Sequence, residues 1–250
     1  MPFKVLQKET VVNTNYTVVP AIAEGNYRFE RKYGITRSQS TIIAQKLKHI
    51  MPYDPCADER GYYLVRSVYF DSPYDTAVYE KLDGASTRAK CRVRLYNGDT
   101  SKIKLEKKQR IHNMMKKQSC DITAVQYERI VGGDWDWMLQ TGQPLLVETY
   151  SKLRCGLRPK CVVEYDRQVF LCHAGNVRIT IDKNVRCSNC IKDFLEKDTC
   201  CISVPTEDFA VLEVKYDTFL PRHIQLTIEM DGLTQEAVSK YVLSRAYDLL

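Results

Sequence analysis

Lys90, Arg92 and Arg94 alternate with Cys91, Val93 and Leu95 along one extended segment. In a strand, residues two apart share a face, so this segment is cationic on one side and apolar on the other. The same division recurs. Ile103 and Leu105 oppose Lys104, Glu106 and Lys108, while Val177, Ile179 and Ile181 oppose Arg178, Thr180 and Asp182. Arg28, Glu30 and Lys32 share a face, and Glu213 and Lys215 lie opposite Leu212, Val214 and Tyr216. A single strand of this kind is ordinarily the wet side of a half-buried antiparallel sheet. Five segments that concentrate Lys and Arg, punctuated by carboxylates, depart from the mixed Thr, Ser, Gln and charge of a solvated face.

If the sheet closes, the charged sides line its interior. Such a lumen repels itself and loses hydration unless a polyanion compensates it. Phosphate chains meet that need, because Arg grips phosphate oxygens in bidentate fashion and Lys acts as a point charge. The interleaved carboxylates are out of place in a pure anion site. They suit Mg²⁺ or Mn²⁺, hard cations that bridge phosphate oxygens through few protein ligands.

The elements that must position these residues are strands over Tyr27–Tyr33, Tyr62–Phe70, Arg88–Tyr96, Ser101–Gln109, Cys161–Leu171, Asn176–Asp182 and Phe209–Asp217. Most are rich in β-branched or aromatic residues and bounded by Gly, Asn, Asp or Pro. Asn97-Gly98-Asp99 reads as a hairpin turn and His173–Gly175 as another, so the pairing is antiparallel. Thr36 and Gln39 have capping-box spacing before Ile43, Leu47 and Ile50, which predicts a helix. Ser72-Pro73 predicts the start of a second, ending near Gly84. Asp121–Val131 and Leu233–Tyr247 are further helical segments. Ile224, Leu226, Ile228 and Met230 alternate like a strand, although Pro221 could open a helix. The expected class is α+β on an antiparallel sheet.

The chain has 250 residues, 44% of them apolar, enough for one sizeable core, and one domain is expected with residues 1–24 as a loosely attached arm. Lys and Arg number 37 against 31 Asp and Glu, a net charge of +6. That excess suits a polyanionic ligand or an ordinary surface equally. No apolar run approaches the ~20 residues of a membrane span. Met1–Lys8 contains no continuous apolar stretch, so no secretory signal is read and the expected compartment is cytoplasmic. The ten cysteines are accordingly read as reduced thiols. Cys187, Cys190, Cys200 and Cys201 have poor spacing for zinc. The sequence holds no phosphate-binding glycine loop of either common type and no kinase catalytic loop. His49, His112, His173 and His223 lack metal-like spacing. Nucleic acid is a weaker ligand than phosphate, because no strand carries an aromatic stacking platform.

Phe29-Glu30-Arg31-Lys32-Tyr33, Val68-Tyr69-Phe70-Asp71, Cys91-Arg92-Val93-Arg94-Leu95-Tyr96 and Leu105-Glu106-Lys107-Lys108 form the first half of an ordered motif set. Glu164-Tyr165-Asp166-Arg167, Val177 to Asp182, Val211-Leu212-Glu213-Val214-Lys215 and Ser239-Lys240-Tyr241 complete it. The set resembles the VTC domain, the polyphosphate polymerase branch of the CYTH or triphosphate tunnel metalloenzyme superfamily, over about residues 27–245. The resemblance implies a closed eight-stranded antiparallel β-barrel, the triphosphate tunnel, with flanking helices, and it makes Pro221–Met230 a helix. It implies ATP-dependent polyphosphate synthesis with Mn²⁺ or Mg²⁺, ATP and polyphosphate being the ligands.

By the same resemblance Lys32, Arg92, Arg94, Lys108 and Arg178 are catalytic, and Lys117, Arg167, Lys215 and Lys240 bind phosphate, Lys116 being the competing candidate for the Lys117 place. Glu213, with Glu30, is the metal position. The wider superfamily opens with a Glu-x-Glu-x-Lys motif, whereas Arg28 stands first here, as is similar in the polymerase branch. Arg167 falls on the opposite strand parity from Glu164, so one leaves the lumen or a bulge intervenes. No sensing or membrane segment is read, and coupling to transport would fall to an unidentified partner. Two other readings remain open. One is a triphosphatase or polyphosphate hydrolase in the same tunnel, against which the missing carboxylate at Arg28 counts. The other is a non-catalytic polyphosphate- or nucleotide-binding module.

Overall fold

Alternation of apolar and charged residues builds strands wherever one side can be buried, and the chain does this repeatedly. A computed structural model describes residues 28–112, 114–204, 208–229 and 233–249. The expected arm over residues 1–24 lies outside the described residues. In chain order the elements are β1 (Phe29–Ile35), α1 (Arg37–Lys48), β2 (Tyr62–Asp71), α2 (Thr76–Leu82), β3 (Thr87–Tyr96), β4 (Ile103–Ile111), β5 (Met114–Ile122), α3 (Ala124–Gly132), α4 (Trp137–Gln140) and α5 (Pro144–Arg154). They continue with β6 (Arg158–Cys172), β7 (Val177–Ser188), β8 (Ile202–Ser203), β9 (Ala210–Tyr216), α6 (Arg222–Ile228), β10 (Thr234–Gln235) and α7 (Lys240–Leu249).

The strands form one ten-stranded antiparallel sheet in the order β10-β1-β9-β7-β6-β2-β3-β4-β5, with β8 beside β7. This corrects the expectation of a closed eight-stranded barrel, because the path has two ends and no backbone ladder joins them among the described residues. The reason is visible at β1. Its outer edge is taken by β10, with Tyr33 opposite Gln235 and the Glu236 amide donating to the Lys32 carbonyl at 2.9 Å. At the other end, β5 carries exposed Lys116 and Lys117, a charged edge of the kind that resists strand addition. The sheet still curls until Lys108 Nζ on β4 lies 3.0 Å from Glu30 on β1, so the seam is ionic.

The convex side is apolar and helix-covered. Val93, Leu95, Ile103 and Leu105 pack with Tyr127 and Ile130 of α3, Met138 of α4, and Leu146 and Leu153 of α5. Ile179, Ile181, Leu212 and Val214 pack with Ile43 and Leu47 of α1 and Ile224 of α6. Each of these buried aliphatic side chains contributes about 1.5–3 kcal/mol, so the sheet face that is covered is fixed and the charged face must turn to the concave side. A third cluster lies on the concave side, where Tyr69, opposite Arg92 in register, packs with Val78 of α2 and Tyr241 of α7. There Tyr241 stacks on Tyr69 with ring centres 4.9 Å apart.

The Thr36 capping box forms, with Thr36 Oγ1 accepting from the Gln39 amide at 3.0 Å. The hairpin turn forms with Asn97 and Gly98 at φ of 52° and 70°, and Gly175 between β6 and β7 has φ of 71°. The helix expected from Ser72 starts instead at Thr76, since Asp71 Oδ1 accepts from the Ala77 amide at 2.9 Å and holds residues 72–75 in a turn. The helix expected from Leu233 starts at Lys240, because β10 uses Thr234 and Gln235. Pro221 does precede a helix, α6. Among the described residues no group of three or more His, Cys, Asp or Glu is poised for a metal. No helix among them is long and apolar enough to cross a membrane.

Candidate active site on the concave face

Cross-strand register sets the site out in rungs. From β3 through β4 to β5 the concave face runs Arg94–Lys104–Asp121, Arg92–Glu106–Ser119, Lys90–Lys108–Lys117 and Arg88–Arg110. Across the curl, Arg178–Lys215–Glu30 and Thr180–Glu213–Lys32 form two rungs of β7, β9 and β1. Of the eleven residues expected to act on substrate or metal, ten lie on this face and Lys240 reaches it from α7. The eleven are Lys32, Arg92, Arg94, Lys108, Arg178, Lys117, Arg167, Lys215, Lys240, Glu213 and Glu30, joined by the contacts below.

Each carboxylate of the face is held by cations. Glu30 lies 3.0 Å from both Lys32 and Lys108 and 3.8 Å from Lys215. Glu213 lies 2.7 Å from Lys215 and 4.0 Å from Arg167. Asp182 takes Arg167 at 2.6 Å and Lys240 at 2.6 Å. Glu106 takes Arg92 at 2.6 Å and Lys117 at 2.5 Å. Burial alone would raise every one of these pKa values, yet the cations win. Lys32, Lys215 and Arg167 hold Glu213 well below the usual carboxylate range. Arg92 and Arg94 bring Glu106 to about 2, and Arg167 and Lys240 bring Asp182 to about 2. All four are therefore ionised at neutral pH.

The cations are in excess even so. Arg94 is only 4% exposed, and among the described residues no carboxylate lies within ion-pairing distance of it. Its guanidinium donates to Ser67 Oγ at 2.9 Å and to the Tyr165 hydroxyl at 3.1 Å. Tyr165 also lies under Arg167 and Lys240, at 5.2 and 4.7 Å from its ring centre, and so links three cations. Lys90 donates to Ser239 Oγ at 2.7 Å, and burial with neighbouring Lys81 and Lys32 lowers its pKa to about 8. Tyr69 is buried, which would raise its pKa, but Arg92 and Arg94 lower it to about 8. Arg178 sits at the rim, on Asp54 at 3.1 Å and the Tyr63 hydroxyl at 2.7 Å.

The parity conflict between Glu164 and Arg167 resolves on the structure. Arg167 faces the lumen, while Glu164 faces out and pairs with Arg66 at 2.7 Å and Arg186 at 2.9 Å. The bulge is on β7, at Asn184 with φ of 53°, and leaves the β6 alternation intact. Arg28 pairs with Asp217 at 2.7 Å, so the first motif position brings no carboxylate to the face. Lys116 lies on the other side of β5 from Lys117 and pairs in register with Gln109.

A divalent cation fits Glu213 and Glu30. Glu213 is 5% exposed and close enough to Glu30 to oppose its ionisation. Thr180, opposite Glu213 in register, has a buried hydroxyl with no hydrogen-bond partner. Two carboxylates and a hydroxyl are too few for an all-protein cage. They could hold a hard divalent cation that keeps several waters. Glu106, Asp182, Tyr69, Tyr165, Lys90 and Thr180 were not assigned roles by sequence reasoning. Glu106, Lys90, Thr180 and Asp182 alternate with assigned cations, and Tyr165 precedes Arg167 by two residues, so the period-2 signal was present for most of them.

The profile of one family, the VTC domain, matches residues 27–247. No curated protein matches the chain. Among solved structures, a Hippeastrum protein described as a candidate adenylyl cyclase with a dominant triphosphatase activity aligns with a TM-score of 0.53 at 11% identity, over 90% of this chain and 98% of its own. A Bacillus halodurans candidate adenylate cyclase aligns with a TM-score of 0.46 at 13% identity, over 79% of this chain and 83% of its own. The PH1819 protein of Pyrococcus horikoshii OT3 aligns with a TM-score of 0.42 at 14% identity, over 86% of this chain and 97% of its own.

Proposed function

The chain belongs to the VTC domain family, and from that premise we propose that it is a polyphosphate polymerase, transferring the γ-phosphoryl group of ATP to the terminal phosphate of a polyphosphate chain. The observation that carries this reading is the surplus of buried and half-buried cations on the concave face, Arg94 above all, which forms no close ion pair with a carboxylate among the described residues and acts on Glu106 only at longer range. A buried unpaired charge is costly, and a ligand rich in anionic oxygens relieves it.

In the proposed reaction an oxygen of the chain's terminal phosphate attacks the γ-phosphorus in line, the bond to the β-phosphate oxygen breaks, and ADP leaves. Arg92, Arg94, Lys32, Lys108 and Arg178 neutralise the charge spread over the transferring group, and positioning with electrostatic stabilisation is what such a loose transition state needs. Lys117, Arg167, Lys215 and Lys240 hold the flanking phosphates. No protein nucleophile takes part. Glu213 and Glu30 would hold Mn²⁺ or Mg²⁺, which when bound would supply further neutralisation of phosphate charge. Incoming phosphates take over cations that the carboxylates now hold, so ligand binding and release of the resting ion pairs are one event.

Incubating the protein with ATP and Mn²⁺ tests the reading. Chains lengthening with ADP release are expected. Free phosphate without chains is the outcome for a triphosphatase, the activity described for the Hippeastrum protein, and it would overturn the polymerase. Tight, salt-sensitive binding without turnover under any divalent metal would instead make the chain a binding module.

A further inference from the structure

The neutralising carboxylates are unevenly distributed along the concave face. Glu106 and Asp121 serve the rungs of Arg92 and Arg94. One rung further, Lys90 stands directly opposite Lys108, and beyond it Arg88 stands directly opposite Arg110. Like charges facing each other across a ladder destabilise it. Lys81 of α2 joins them, and its pKa is lowered by burial and by Arg88, Lys32 and Arg110. The Arg88 pKa is lowered by burial and by Arg110, with Glu80 opposing weakly. Among the described residues none of Lys81, Arg88, Lys90 and Arg110 has an ion pair with a carboxylate. Arg88 donates instead to the Ala85 carbonyl at 2.6 Å and Arg110 to the His112 carbonyl at 2.6 Å, each bond fixing the guanidinium at the rim. Both are half-buried, which leaves donors open to a ligand.

We propose that Lys81, Arg88 and Arg110 form a second phosphate-binding station, at the mouth beyond Lys90, which holds the body of a long polyphosphate chain. This rests on the polymerase reading and adds the direction in which the chain leaves the lumen. The Arg88 rung lies four residues beyond Arg92, about 13 Å along the strands. A triphosphate centred on Arg92 does not reach it, whereas a continuing chain does. Lys90 and Lys108 bridge the two stations, so an extended polyanion meets a cation at every rung from Arg92 outward. At the opposite end Arg178 is already on Asp54 and Lys104 on Asp121, so that rim offers no comparable unneutralised run.

The test compares binding of tripolyphosphate and of long-chain polyphosphate to the wild type and to the triple variant K81Q/R88Q/R110Q, over a range of salt. Tripolyphosphate should bind both proteins equally. Long chains should bind the wild type more tightly, and the variant should lose on the order of tenfold with a salt slope lower by about 2, taking about 0.7 per contact on a single-stranded polyanion. Unchanged long-chain affinity and slope in the variant overturn the second station. Loss of tripolyphosphate binding in both the triple variant and the single variant R110Q also overturns it, since the mouth would then be part of the central site. A wild type that binds neither ligand sinks the polymerase reading itself, and this inference with it.

Discussion

At the residue scale the site is a set of cations competing for too few carboxylates. Glu213 shows the consequence most sharply. Its burial favours the neutral acid, yet Lys32, Lys215 and Arg167 keep it ionised. Replacing it separates two roles. Glu213→Gln should lower metal-dependent turnover by on the order of 10²–10³, the cost typical of losing one transition-state charge contact. Tripolyphosphate binding without metal should be kept or strengthened, because Lys32 and Lys215 are freed. Full metal-dependent activity in this variant would remove Glu213 from the metal role.

At the element scale, what positions the cations is the apolar side of each strand. Ile179 and Ile181 go under α1, and Val93 and Leu95 go under α3 to α5, so Arg178 and Arg92 have one direction left. This much was legible in the sequence, because period-2 alternation is a direct record of which face is buried. Helices α1 and α3 were legible through the spacing Thr36 to Gln39 and the segment after Asp121. The start of α2 was not, since Asp71 caps it from the end of a neighbouring strand. Strand β5 was missed because Met114–Ile122 is largely polar, as an exposed edge is. Helix α7 began seven residues later than expected because Thr234 and Gln235 answer to the edge of β1, a partner two hundred residues away. Its docking has a checkable cost. The Tyr241 hydroxyl donates to buried Asp71 Oδ2 at 2.7 Å, and Tyr241→Phe leaves that carboxylate short of a partner. The loss should be about 1–3 kcal/mol in urea unfolding, with weaker phosphate binding because α7 carries Lys240. An unchanged midpoint would place the docking energy in the stack on Tyr69 instead.

At the scale of the whole molecule, the sheet makes a lumen without closing its backbone. No residue pattern foretold that, because closure depends on whether two edges distant in sequence are free to pair, and β10 occupies one of them. The ion pair of Lys108 with Glu30 at this seam is also part of the site, so occupancy by phosphate and the geometry of the seam are coupled. A folded state that stores unpaired positive charge should be stabilised by any ligand that cancels it, by RT ln(1 + [L]/Kd), about 2.7 kcal/mol at a hundredfold excess over Kd. Thermal unfolding of the wild type and of Arg94→Gln against tripolyphosphate therefore tests the central claim most directly. The wild-type midpoint should climb with ligand concentration and the climb should shrink with salt, while the variant should lose most of it. A midpoint indifferent to tripolyphosphate, or an equal climb in the variant, would contradict a concave face built to hold a phosphate chain.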